Sequence, residues 1–135
     1  ESTSSMFGGN SNWRGPIWLP LNYLIINCLR KYHLYYGNSY TVEFPSGSGI
    51  KLNLRQVANE LTKRLLKIFE VNDRGTFQYH GDKQTHWRDA HFKDHHLFYE
   101  FFHGDTGQGL GASHQTGWTA LIANLLLEMD EDNER

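Results

Sequence analysis

Cysteine is almost missing from this 135-residue chain: Cys28 is the single one, which excludes an internal disulfide and the small stapled scaffolds built on them. Lying in the apolar run of residues 24–29, it reads as a small buried hydrophobe. An excess of charge of either sign is missing too. Thirteen Lys and Arg against fifteen Asp and Glu give a formal net charge of -2, so no basic footprint points to nucleic acid. Nor is there a hydrophobic run long enough for a bilayer, which needs about 20 residues. The longest uncharged apolar stretch, residues 16–29, is shorter and contains Asn22, Tyr23 and Asn27, so no membrane partner is expected. The chain opens with neither Met nor a basic segment leading into an apolar one, and is expected to be a piece of a longer protein.

What is present is the composition of a folded domain, 39% hydrophobic and 14% aromatic. Residues 1–12 are small, polar and glycine-rich and read as an incoming loop. Over residues 17–36 the apolar positions Leu21, Leu24, Ile25, Cys28, Leu29 and Tyr32 recur at helical spacing, with Pro16 suited to the first turn and Gly37 as the stop. Tyr23, Ile26 and Tyr35 make the opposite side apolar as well, so this helix is expected to be buried on more than one side. Residues 38–52 combine a β-prone run with a Pro-Ser-Gly-Ser-Gly turn cluster and read as a connector. From Asn53, a plausible N-cap, to Val71 the sequence is that of an amphipathic outer helix. Residues 72–116 have no sustained periodicity, and loops of this length in compact domains are usually functional. A third helix is expected over residues 117–129, capped by Thr116 or Ser113, with residues 130–135 as a solvated tail. Unusual residues gather ahead of the first and third helices. Helices alternating inner and outer, with functional loops at one end, suit a toroid of helical hairpins, although three helices also suit a small bundle.

The motifs are ambiguous one at a time. Asn12, Trp13, Arg14, Gly15 and Trp18 set two indoles and a guanidinium at the mouth of the first helix, the mixture of apolar wall and polar donors found in sugar sites; the same residues also suit core anchors and an ion pair. Glu100, among Tyr99, Phe101 and Phe102, is a candidate acid or base, or equally a solvent-facing acid on an aromatic-rich segment. The glycine run 104–111 faintly suggests a phosphate loop, but no strand precedes it and no P-loop lysine follows, so a nucleotide is rejected. His91 and His95 would share a helical face, yet no closed ligand set of known spacing accompanies them, so no metal or other cofactor is assigned.

Read together, the ordered motifs WRGPIW, NYL, YEFFHGDTG and HQTGWT resemble the C-terminal region of glycoside hydrolase family 63, the processing α-glucosidases and their microbial relatives, from about Gly8 to Leu126. GNSNWRGPIW and FHGDTGQGLGASHQTGWT look closer to the microbial, cytosolic-type branch, which makes the cytoplasm the favoured compartment. The resemblance implies an all-α fold, a fragment of an (α/α)6 toroid, forming one C-terminal segment of a catalytic domain. It also implies inverting hydrolysis of α-linked glucosides or related sugars. Glu100 matches the family's general base; Trp13, Arg14, Gly15 and Trp18 match its sugar-binding segment, and His114, Gln115 and Trp118 the segment closing the pocket. The family's general acid is an upstream Asp that no segment here matches. Asp89, Asp94 and Asp105 are expected to serve as caps and loop hydrogen-bonders instead. The implied partners are an oligosaccharide substrate and the remainder of the catalytic domain, and the chain alone is expected to be inactive and to self-associate through uncovered apolar faces. The alternative is a non-catalytic helical domain that binds carbohydrate.

Overall fold

The structure, a computed structural model, describes residues 17–73, 75–81, 91 and 95–133. Helix α1 spans Leu19–Tyr36. Pro20 lies in its first turn, where a missing amide costs no helical hydrogen bond; Pro16, to which that role was expected to fall, is outside the described residues. The helix ends as expected at Gly37, whose φ of 67° suits a residue without a side chain and whose amide donates to the His33 carbonyl at 2.8 Å.

Only one side of α1 is buried. Leu19 and Ile26 are sealed, with Tyr23 and Leu29 packed against the core beside them. The periodic positions Leu21, Leu24, Ile25 and Tyr32 are 46–64% exposed, and Cys28 on the same stripe is exposed too. Both expectations, burial on more than one side and a buried cysteine, are therefore corrected for this chain. The physical reason is simple: two other long helices reach α1, and they cover a single face of it.

Strand β1 (Thr41–Glu43) pairs antiparallel with β2 (Lys51–Asn53), Val42 opposite Leu52, which gives the connector its definite form. Helix α2 (Leu54–Leu66) starts directly from β2 through a capping box. The Asn53 side chain accepts from the Gln56 amide and the Gln56 side chain accepts from the Asn53 amide, both at 2.9 Å, so two of the orphan donors at the helix start are satisfied. Leu54, Val57, Ala58 and Leu65 form its buried stripe, and a 3₁₀ turn at Lys67–Phe69 tightens its end.

The last helical segment differs from expectation. A one-turn helix α3 (Thr116–Thr119) is followed, after Ala120, by α4 (Leu121–Asn133). Gln115 holds the N-cap position without a side-chain cap, and neither Thr116 nor Ser113 serves, because Thr116 is already helical and the entry is set by the Gln115 amide bonding to the Phe98 carbonyl. The backbone stays helical over residues 130–133, so the expected tail is largely a continuation of α4. Just before it, Glu128 is bound by Arg30, which forms a close ion pair with it, and by the Tyr23 hydroxyl at 3.1 Å, so α4 is anchored to α1 across the acidic boundary.

Helix α2 packs on both α1 and α4, and α1 on α4. Leu19, Ile26, Ala58, Leu65, Ile122 and Leu125 meet in the space between them. Among the described residues two short antiparallel strand pairs accompany these helices, so this part of the chain is helical with small strands rather than all-α. Among the described residues no helix is long and apolar enough to cross a membrane.

Leu125 has no exposure and sits at this junction, so Leu125→Ala should cost about 2–5 kcal/mol through lost burial and the cavity left behind. Asn53→Ala removes only the cap and should cost about 1 kcal/mol. Urea unfolding of the two variants checks the ranking; equal effects would mean that the helical junction is not the main core.

Candidate functional site

The second hairpin is where the sequence motifs meet. Strand β3 (Phe101–Phe102) pairs antiparallel with β4 (Gly109–Leu110), Phe102 opposite Gly109. On the other edge Ile17, the penultimate residue of the WRGPIW motif, forms an antiparallel bridge with Phe102. The Ile17 amide donates to the Phe102 carbonyl at 2.7 Å and the Phe102 amide to the Ile17 carbonyl at 2.8 Å. Trp18 follows and meets Trp118 of α3 edge to face, with ring centroids 5.4 Å apart at 85°. Residues 17 and 18 are thereby drawn to two stretches that lie more than eighty residues further along the chain.

Within it, residues 98–102 are tied down in succession. The Gln115 amide donates to the Phe98 carbonyl, and the Thr119 hydroxyl makes a short hydrogen bond to the Tyr99 carbonyl. Glu100 is held twice by Ala112: its amide donates to the Ala112 carbonyl at 2.9 Å, and its carboxylate oxygen Oε2 accepts from the Ala112 amide at 2.9 Å. One carboxylate oxygen thus has a backbone-defined position, which a freely solvated acid would not have.

The glycine run makes this fit possible. A Cβ on Gly109 would lie 2.3 Å from the Tyr99 ring. A Cβ on Gly111, whose φ is +72°, would lie 2.5 Å from Glu100 Oε2 and 2.8 Å from the Phe101 ring. Absence of side chains lets β4 and the loop after it close onto residues 99–101. Gly109 and Gly111 serve close packing beside a carboxylate.

Beneath the strand lies an aromatic layer. Tyr79 is buried among Phe69, Phe77 and Tyr99, and its hydroxyl accepts from the Leu97 amide and lies 3.4 Å from His96 Nδ1. Burial pushes the Tyr79 hydroxyl up to about 12, and raises that of Tyr99, so both rings stay neutral. His80, also buried and edge-on to Tyr79 at 4.6 Å, is lowered from its usual 6.5 by the same cause.

Of the residues singled out from sequence, Trp18, Glu100, Gln115 and Trp118 are half-buried and gather around this hairpin. His114 is exposed but packs edge-on against Phe98, with centroids 5.8 Å apart. Trp13, Arg14 and Gly15, and with them Asp89 and Asp94, lie outside the described residues. Asp105 is exposed on the hairpin turn, where its amide bonds to His103 Nδ1 at 3.2 Å. It lines a cleft of about 440 Å³ with Ile17, Arg64, Lys67 and Gln78, which Glu100 does not border. His91 lies in a turn and His95 outside any helix, so no helical face joins them; among the described residues no three His, Cys, Asp or Glu side chains cluster around a possible metal position. Sequence reasoning missed Ala112, Thr119 and Gly111, whose parts depend on backbone approach; the Gly109 and Gly111 spacing opposite the aromatic run was the available signal.

Comparison with known proteins gives a consistent picture. The model of the glycosyl hydrolase family 63 C-terminal domain matches residues 2–128. An uncharacterized protein of Saccharomyces cerevisiae is 50% identical over 131 residues, covering 96% of this chain and 12% of its own length. The mannosyl-oligosaccharide glucosidase of the same yeast is 29% identical over 121 residues, and a probable mannosyl-oligosaccharide glucosidase of Schizosaccharomyces pombe 28% over 122; each match covers 89% of this chain and 11% of the relative. The chain therefore spans roughly an eighth to a ninth of the relatives it matches. No solved structure matches it.

The lowered His80 makes a pH prediction. Between its folded value and 6.5 the unfolded chain binds the proton that the folded chain refuses, so stability is complete above pH 6.5 and is lost as pH falls below it. Thermal melts of the wild type should decline on acidification from pH 6.5, and His80→Gln should decline less; identical slopes would remove His80 as the cause.

Proposed function

The chain belongs to glycosyl hydrolase family 63, and from that premise we propose that it is the part of an inverting glycosidase that carries the general base, Glu100, and one wall of the sugar pocket. The observation that supports this reading best is the convergence of Trp18, Trp118 and Glu100 through the Ile17–Phe102 bridge and the Glu100–Ala112 pair. An indole wall beside a positioned carboxylate suits a sugar ring: aromatic faces stack on its C–H face while the carboxylate acts at the anomeric carbon.

Inversion uses two carboxyl groups roughly 6.5–9.5 Å apart. Glu100, as carboxylate, takes a proton from a water as that water attacks the anomeric carbon; an acid on the opposite side protonates the leaving oxygen. The second acid belongs to the remainder of the protein. Trp13, Arg14, Trp18 and Trp118 would contact the sugar, with His114 and Gln115 closing the pocket. The substrate class is an α-linked glucoside or a related oligosaccharide, in keeping with the names of two relatives.

The same reading makes the chain a segment of an (α/α)6 toroid. The apolar stripe of α1, with Leu21, Leu24 and Ile25 uncovered, supports it, because the missing hairpins of a toroid would cover such a face. By itself the segment would lack turnover and associate through that stripe.

The test is the anomeric configuration of the sugar first released, followed by NMR, with the full-length protein acting on a panel of α-glucosides. Inverted product is expected, and Glu100→Gln, which keeps shape and removes the base, should cut turnover by roughly 10²–10⁴-fold while binding persists. Retained product, or a fully active variant, would overturn the assignment.

A further inference from the structure

Resting on the reading of Glu100 as base, we infer that Gly111 is a positioning residue for it: a left-handed glycine whose missing side chain lets the carboxylate seat on the Ala112 amide. Three observations converge on this position. The Ala112 amide donates to Glu100 Oε2 at 2.9 Å, and the backbone of Glu100 returns to the Ala112 carbonyl at the same distance, so the residue after Gly111 grips Glu100 by main chain and side chain together. Gly111 has φ +72°, the conformation that aims the next amide at the carboxylate. A Cβ there would stand 2.5 Å from Oε2 and 2.9 Å from Glu100 Cβ, closer than atoms tolerate, with the Phe101 ring at 2.8 Å blocking the other direction.

The neighbour that must yield is decided by what can move. Phe101 is 4% exposed and held in the β3–β4 pairing, whereas the Glu100 carboxylate is the end of a flexible side chain. A methyl group at position 111 therefore displaces the carboxylate from its amide. A general base works through the placement of one oxygen against a water, and a shift of about 1 Å from such geometry can cost on the order of a hundredfold in rate. Sugar-binding contacts from Trp18 and Trp118 do not pass through Gly111, so binding is spared.

Other φ-positive glycines in the chain provide the control. Gly49 has φ +74° and nothing within 4 Å of a would-be Cβ, so Gly49→Ala carries the same backbone strain without a displaced neighbour. In the full-length protein, steady-state kinetics on an α-glucoside hydrolysed by the wild type would be measured for Gly111→Ala, Gly111→Asn, Gly49→Ala and Glu100→Gln, each with a thermal melt. Asn tolerates positive φ better than Ala, so Gly111→Asn retains the steric displacement with less strain. The expected result is a fall in kcat on the order of a hundredfold for both Gly111 variants, with KM within about twofold, and near-normal kcat for Gly49→Ala. Full kcat in the Gly111 variants alongside an inactive Glu100→Gln overturns the positioning role and leaves the base in place. A loss of melting temperature with kcat and KM failing together also overturns it, because Gly111 would then be structural only. An active Glu100→Gln overturns the base and this inference with it.

Discussion

Two hydrogen bonds between the backbones of Ile17 and Phe102 join the entrance of the first helix to the strand beside Glu100. Through them Trp18 comes against Trp118, and α1 is held at a defined angle to the loop that precedes α3. Without that bridge the indole pair and the carboxylate would belong to separate pieces of chain. The aromatic layer below gives the bridge its rigidity: Phe102 is wholly buried and packs against Phe69, which itself lies against Tyr79. A backbone pairing placed over a dry aromatic floor is protected from competing water, which makes it a sound base for a site.

The helices serve this arrangement from outside. Their common core of Leu19, Ile26, Ala58, Leu65, Ile122 and Leu125 packs α1, α2 and α4 together, and the Arg30–Glu128 pair with Tyr23 closes α4 onto α1. The pair is largely buried, with the two side chains 15% and 32% exposed, so it carries a desolvation cost, and its role is a directional link between helices. The exposed stripe of α1 is a different kind of feature. On the proposed reading, this exposed apolar face, in a chain that spans 11–12% of its relatives, would be covered by the rest of the protein.

Much of this was legible in the residues. The period of apolar positions located the three long helices, Gly37 and Asn53 marked a stop and a start, and both worked for the reasons expected of them. The order of the motifs carried the family, which the match over residues 2–128 establishes. Glu100 was legible as a candidate because an acid among aromatics is unusual. What misled was the all-round apolarity of α1: it is read as burial on more than one side, whereas one side is covered, since an apolar pattern reports that a face is apolar but not which neighbour is present to cover it.

Sequence by itself determined the elements that depend on neighbours in the chain: the locations of the long helices, the cap at Asn53, and the glycine positions where the backbone can turn left-handed. It also determined the family, through motif order. Tertiary structure alone decided which residues meet. Ile17 finds Phe102, Glu100 finds Ala112, and Thr119 finds the Tyr99 carbonyl across intervals from 12 to 85 residues. The physical reason is that each such pair has a backbone group on at least one side, which every residue carries alike, so no side-chain pattern announces the partner; they follow only once burial of the aromatic layer has brought the strands together.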